Sequence, residues 1–167
     1  MFNFLRKNNQ SKEESNNSHS LVAVADGDII SITKVPDQVF SQKILGDGYA
    51  IIPSGGSICS PANGTVTEVS DTLHAYCITS KDGLEILVHI GIDTVELKGD
   101  GFSPLVKKGD KVSCGSPIAA ADLKLIKERG YNTEIMVVIT NTDSIKSFNL
   151  TEKANVRAGD VALTYKL

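Results

Sequence analysis

The chain reads as an all-β protein, a compact antiparallel β-sandwich or barrel with a few short helices. Three observations predict this. Apolar runs of strand length recur along most of the chain, Gly46, Gly48, Gly55, Gly56, Gly83, Gly99 and Gly101 supply corners between them, and helical start and stop signals are scarce. The chain has 167 residues and 41% hydrophobic content, enough to bury one good core and therefore one domain.

In chain order, Met1 to His19 is expected to be a flexible segment, with residues 20–167 as the folded domain. Lys7 to Ser20 is rich in Asn and Ser with almost no apolar residue, a composition that buries too little to fold. His19 is read as an incidental part of it. In front, Phe2, Phe4 and Leu5 precede two cations, a pattern suited to weak contact with a membrane surface. Strands are expected at 29–32, 49–52, 64–69, 135–139 and 161–165. Asp122 to Arg129, capped by an Asp and followed by Gly130, suits a short helix; 141–148 suits another turn or two. Lys108-Gly-Asp-Lys-Val112 and Ala158-Gly-Asp-Val161 echo one another, so Asp110 and Asp160 are read as formers of repeated turns.

The chemistry concentrates in the hairpin between Thr72 and Ile92. Thr72-Leu-His-Ala-Tyr-Cys-Ile-Thr79 and Leu84-Glu-Ile-Leu-Val-His-Ile-Gly-Ile92 flank Ser80-Lys-Asp-Gly83, a turn signal. A four-residue loop sets His74 opposite His89, with Cβ atoms roughly 4.5–5.5 Å apart. A two-residue loop makes them diagonal neighbours on one face, whereas a loop of three or five residues puts them on opposite faces. Alternation assigns Leu84, Ile86, Val88, Ile90 and Ile92 to the core, and Glu85, Leu87, His89 and Asp93 to the other face. With the even registers, Leu73, Ala75 and Cys77 point inward, and Thr72, His74, Tyr76 and Ile78 share the histidine side. Gly91 is read as leaving room for a partner's surface and for close backbone approach.

Composition removes several function classes. A net charge of −3 with scattered cations gives no basic field for nucleic acid. No apolar stretch is long enough for a transmembrane segment. Cys59, Cys77 and Cys114 are odd in number and widely spaced, as reduced thiols of a cytoplasmic protein are.

Taken together, Val35-Pro-Asp-Gln-Val-Phe40, Gly46-Asp-Gly48, Ile51-Ile-Pro53, Ser60-Pro-Ala-Asn-Gly64, His74 and His89-Ile-Gly-Ile-Asp-Thr-Val95 resemble the glucose-type enzyme IIA of the bacterial phosphoenolpyruvate-dependent sugar phosphotransferase system. The resemblance runs in order from about Ser20 onward. It implies a β-sandwich phosphocarrier that needs no cofactor. His89 would accept a phosphoryl group from the phosphocarrier HPr and pass it to a cysteine on the IIB domain of a sugar permease. His74 would assist, and Thr72 would orient His74. Asp37 and Asp93 would meet an arginine of the incoming carrier. Leu87, Val39, Phe40 and Val95, with Tyr76, Ile78, Ile44 and Leu45, are candidates for an apolar docking rim. Ser70 departs from the family pattern, which commonly has a bulky aromatic there.

Physical chemistry supports these roles. Neutral imidazole, with a reference pKa of about 6.5, is a nucleophile that also leaves. One ring nitrogen must be free, so the other should be fixed, plausibly by a carbonyl near Gly91. The residues also bear on three rival readings. A zinc hydrolase would use His74, His89 and Asp93, but the His-x-His pair of comparable endopeptidases is missing, and incidental metal capture by His74 and His89 implies no catalysis. A biotinyl or lipoyl carrier would present Lys81 at its turn, without the usual flanking residues. A purely regulatory binding module would use the same histidine face.

Overall fold

The computed structural model describes residues 19–167. The Phe2, Phe4 and Leu5 stretch and the polar segment up to Ser18 lie outside the described residues. His19, read with that segment, opens the first strand and is held there: its Nδ1 lies 3.1 Å from Asp82 Oδ2 and its ring stacks on Tyr165. Among the described residues no helix is long and apolar enough to cross a membrane.

The strands run in chain order as β1 (His19–Val22), β2 (Gly27–Ser31), β3 (Asp47–Pro53) and β4 (Ser57–Cys59). Next come β5 (Gly64–Val69), β6 (Ala75–Ser80), β7 (Glu85–Ile90), β8 (Phe102–Pro104) and β9 (Lys111–Val112). The last five are β10 (Pro117–Ala121), β11 (Ile135–Ile139), β12 (Ser147–Leu150), β13 (Asn155–Val156) and β14 (Val161–Lys166). Short helices α1 (Gln38–Ser41) and α2 (Leu123–Glu128) interrupt them, and Asp122 caps α2 by accepting the Leu125 amide. Residues 141–148, read as helical turns, give one 3-10 turn at Thr142–Ser144 and then β12.

Eight strands form one antiparallel sheet in the order β13-β2-β3-β11-β7-β6-β5-β9, and β1-β14-β12 and β4-β10-β8 form two small ones. The main core lies between the large sheet and the small ones. Leu21, Leu163, Ile58, Ile118 and Phe102 from the small sheets meet Tyr49, Ile51, Val66, Tyr76, Ile78, Ile86, Val88 and Val137 from the large one. A smaller cluster covers the opposite face of the large sheet, where Ile32, Val35 and Phe40 pack over Ala50, Met136 and Val138, with Leu87 at its border. β11 is thus buried on both faces, and its Ile-Met-Val-Val-Ile is apolar without alternation, as a doubly covered strand requires.

The two Gly-Asp turns prove equivalent. Asp110 accepts the Lys107 amide at 3.0 Å, and Asp160 accepts the Arg157 amide at 2.9 Å. Gly109 N–H donates to Val66 O while Val66 N–H donates to Asp110 O; Gly159 and Asp160 exchange the same pair of bonds with Ala23.

The register of the histidine hairpin differs from the expected even registers. Thr79 faces Glu85, Cys77 faces Leu87, and Ala75, not His74, faces His89. Ser80 N–H donates to Leu84 O, so three residues form the tip, and the Ser80 hydroxyl, which accepts the Leu84 amide and bonds to Asp82, selects that length. The odd register sends Tyr76 and Ile78 into the main core, both without exposure, and leaves Ala75 and Cys77 on the histidine side. Tyr76 and Ile78 are therefore not rim residues. Ile92, assigned to the core with Ile90, instead joins the smaller cluster, because Gly91 turns the chain at φ +79° between them.

At Gly48 the sheet demands glycine by proximity: a Cβ there would stand 1.9 Å from Val137 O on the neighbouring strand. Gly48→Ala is expected to lower unfolding stability by about 2–4 kcal/mol, read from denaturant titration, because backbone rather than a side chain has to move.

Candidate functional site

Despite the odd register, the two imidazoles meet. Their ring centroids are 4.8 Å apart with planes at 80°. His74 lies one residue before β6, and Leu73 before it adopts a left-handed φ of +64°. His74 thus lies in a bend outside the regular strand, so the parity that governs Ala75 to Ser80 does not reach it. Leu73 packs against the main core, and His74 is 8% exposed. The backbone still closes the ladder there, with Ile90 N–H donating to His74 O at 2.7 Å.

His89 is half-buried near the end of β7, where its Nδ1 donates to Gly91 O at 2.8 Å. The left-handed turn at Gly91 brings that carbonyl back toward the ring. The turn is braced from three sides: Gly91 N–H donates to Glu134 O, Ile92 N–H to Asn132 O, and the buried Thr94 hydroxyl to Ile90 O. A Cβ on residue 91 would stand 2.4 Å from Thr94 Cγ2. The room left by this glycine is filled from within the chain, which corrects its reading as space for a partner.

His74 is held at the same ring atom. Its Nδ1 lies 2.8 Å from Thr72 Oγ1 and 3.4 Å from Ser70 Oγ. With both Nδ1 atoms engaged, each histidine keeps its Nε2 for chemistry, and neither Nε2 has a hydrogen bond among the described residues.

The electrostatics keep both rings neutral. Burial lowers the pKa of His89 to about 4, and the neighbouring His74 adds to the effect. The Gly91 carbonyl and the Asp37 and Asp93 carboxylates oppose it. Burial also lowers His74, against an opposing bond to the Thr72 backbone. At neutral pH, two uncharged imidazoles with free Nε2 atoms therefore sit side by side, an acceptor for an electrophile beside a donor for the charge it carries.

The remaining candidates divide between cover and foundation. Asp37 caps α1 by accepting the Val39 amide at 2.8 Å, and Asp93 is an exposed residue at φ +59° whose carboxylate makes no cap bond. Val39 and Val95, with Ile44 and Leu45, are exposed apolar residues. Phe40 is buried, its ring centroid 5.1 Å from that of His89, and Leu87 borders the same cluster. Among the described residues no three His, Cys, Asp or Glu side chains are grouped to hold a metal, so His74, His89 and Asp93 do not form the ligand set of a zinc hydrolase. Lys81 is an exposed residue at the far tip of the hairpin. Ser70 is the residue that sequence reasoning missed; its signal is the Ser-x-Thr-x-His spacing within a turn.

Known proteins resemble this chain in sequence and in fold. Residues 19–145 match the family described as phosphoenolpyruvate-dependent sugar phosphotransferase system, EIIA 1. The chain is 38% identical over 159 residues to the PTS system glucose-specific EIIA component of Halalkalibacterium halodurans, covering 95% of this chain and 92% of that protein. It is 43% identical over 141 residues to the PTS system glucose-specific EIICBA component of Streptococcus pneumoniae, 84% of this chain but only 19% of that longer protein. The solved structure of glucose permease IIA from Mycoplasma capricolum superposes with a TM-score of 0.83 at 34% identity, covering 88% of this chain and 95% of that one. A family match over most of the chain, with like fold and substantial identity, establishes that this chain belongs to the EIIA family of the phosphoenolpyruvate-dependent sugar phosphotransferase system.

Proposed function

We propose that this chain is a cytoplasmic phosphocarrier that takes a phosphoryl group from HPr onto His89 and delivers it to a cysteine of a permease IIB domain. The observation that carries the reading is the pair of imidazoles 4.8 Å apart, each tied at Nδ1. Neutral His89 Nε2 attacks the phosphorus of the donor phosphohistidine; the new N–P bond forms as the donor's breaks, and the donor imidazole leaves. His89 keeps its Nδ1 proton on Gly91 O throughout, so phosphorylated His89 is a cationic ring whose charge that carbonyl stabilises. Onward transfer reverses the bookkeeping of bonds: the cysteine thiolate forms an S–P bond, and His89 departs as neutral imidazole. His74 Nε2–H donates to the phosphoryl oxygens, so catalysis rests on positioning and charge stabilisation. Asp37 and Asp93 present negative charge to a basic donor, while Val39 and Val95 supply apolar rim that excludes water. The glucose-specific names of the relatives support a glucose-type permease as recipient.

Labelled phosphoenolpyruvate with enzyme I and HPr is expected to label wild type and His74→Ala but not His89→Ala. Onward transfer from His74→Ala to a IIB domain should fall by about 10²–10³-fold. Label on His89→Ala would overturn the assignment. Asp37→Asn with Asp93→Asn should slow transfer from HPr more at low salt than at high salt; a salt-independent loss would argue against charge steering.

The pH dependence follows from burial. The His89 imidazole resonances should titrate with a midpoint near 4, well below 6.5. The unfolded chain takes up that proton at higher pH than the folded one, so its contribution to stability is complete above about 6.5 and is lost as pH falls toward about 4. Denaturant titrations across this window should show the decline, smaller in His89→Gln. An equal decline in that variant would count against His89 as its source.

A further inference from the structure

We propose that Ser70 is a positioning residue for His74, sharing with Thr72 the task of holding Nδ1 so that Nε2 stays available to the group on His89. This rests on the reading of His74 as the assistant to His89. Three backbone bonds fix Ser70 around His74. Ser70 N–H donates to Ala75 O at 2.9 Å, Leu73 N–H donates to Ser70 O at 2.9 Å, and Ala75 N–H donates to Ser70 Oγ at 3.1 Å. The hydroxyl is therefore anchored by the residue that follows His74, while Thr72 approaches from the residues before it.

A serine hydroxyl has one proton and two lone pairs. The Ala75 amide occupies one lone pair, and the rest of the hydroxyl faces His74 Nδ1 at 3.4 Å. Thr72 Oγ1, at 2.8 Å, is the shorter arm. Two hydroxyls at one ring nitrogen form a three-centre arrangement in which a small ring rotation lengthens one arm and shortens the other. His74 must make such adjustments whenever a phosphoryl group arrives at or leaves His89. At 8% exposure water is a poor substitute partner, and an unpaired buried nitrogen is costly. The second hydroxyl keeps Nδ1 paired through the movement, so Thr72 is not indispensable in this chain.

The test compares Ser70→Ala, Ser70→Thr, Thr72→Val and the Ser70→Ala/Thr72→Val pair, by rate of transfer from phosphorylated protein to a IIB domain and by the imidazole ¹⁵N shifts of His74. Ser70→Ala should cost less than about 2-fold, Thr72→Val about 2–5-fold, and the pair at least about 20-fold, more than the product of the singles. The His74 ¹⁵N shifts should move modestly in either single variant and strongly in the pair. In the Thr72→Val background Ser70→Thr, which keeps the hydroxyl, should leave both readouts at the level of Thr72→Val alone, unlike Ser70→Ala. A purely structural role for Ser70 in closing the turn would move the Ala75 amide and the unfolding midpoint and leave the His74 shifts alone. A pair variant no worse than the product of the singles, or His74 shifts insensitive to Ser70 in the Thr72→Val background, would overturn the proposal. Failure of wild type to take label at His89 would instead sink the phosphocarrier reading. The ¹⁵N measurements on unphosphorylated protein would still read the contact between Ser70 and His74.

Discussion

The hydrogen bond from His89 Nδ1 to Gly91 O is the constraint from which the site is built. It requires a carbonyl that turns back toward the residue two positions earlier, and an extended strand does not supply one. Gly91 at φ +79° does. That turn would be unstable alone. It is held because Glu134 and Asn132 on the approach to β11 accept the amides of Gly91 and Ile92, and because buried Thr94 ties the following turn to Ile90. β11 in turn is fixed by burial on both faces. The geometry of one ring nitrogen therefore depends on the doubly buried strand beside it at the centre of the large sheet.

Burial does two things here that pull in opposite directions. It removes water, which protects a phosphoryl group in transit, and it removes the stabilisation of any charge that forms. The low pKa of His89 records the second effect. The answer in this structure is to place neutral but oriented dipoles at the charged positions: the Gly91 carbonyl at one Nδ1, and hydroxyls at the other. Asp37 and Asp93 act on His89 from farther away, so they raise its affinity for positive charge without protonating it at neutral pH.

Sequence periodicity carried the architecture where alternation or full burial is regular. β5 and β11 fall on the residues expected, and Asp122 caps its helix as its position suggests. It misled where the backbone leaves that regularity. The hairpin register depends on which hydroxyl closes the tip, and Ser80 paired with Leu84 across a three-residue tip makes Ala75 the partner of His89. The pairing of the histidines then survives because His74 stands in a bend outside the regular strand, beside a left-handed Leu73, a residue type that does not advertise such a conformation. Gly91 does advertise it, yet the space beside it is taken by the chain itself, by Thr94 three residues on and by the distant Asn132, which no alternation pattern displays. His19 was lost for a similar reason: a polar run looks disordered until Tyr165 and Asp82, far along the chain, give its last member a partner.

The two clusters divide the mechanical duties of the protein. The main core holds the inner faces of β6 and β7 through Tyr76, Ile78, Ile86, Val88 and Ile90, so the strands that carry the histidines are locked from behind. The smaller cluster lies on the reactive face, and Phe40 from α1 reaches over His89. Cover and reactive group thus come from different elements: His89 from a central strand, its lid from a four-residue helix capped by Asp37. A short helix on a small cluster yields more easily than a strand paired on both edges within an eight-stranded sheet. The sheet thus keeps the distance between His74 and His89, while α1 and the Thr94–Leu97 turn carry the exposed Val39 and Val95 around it.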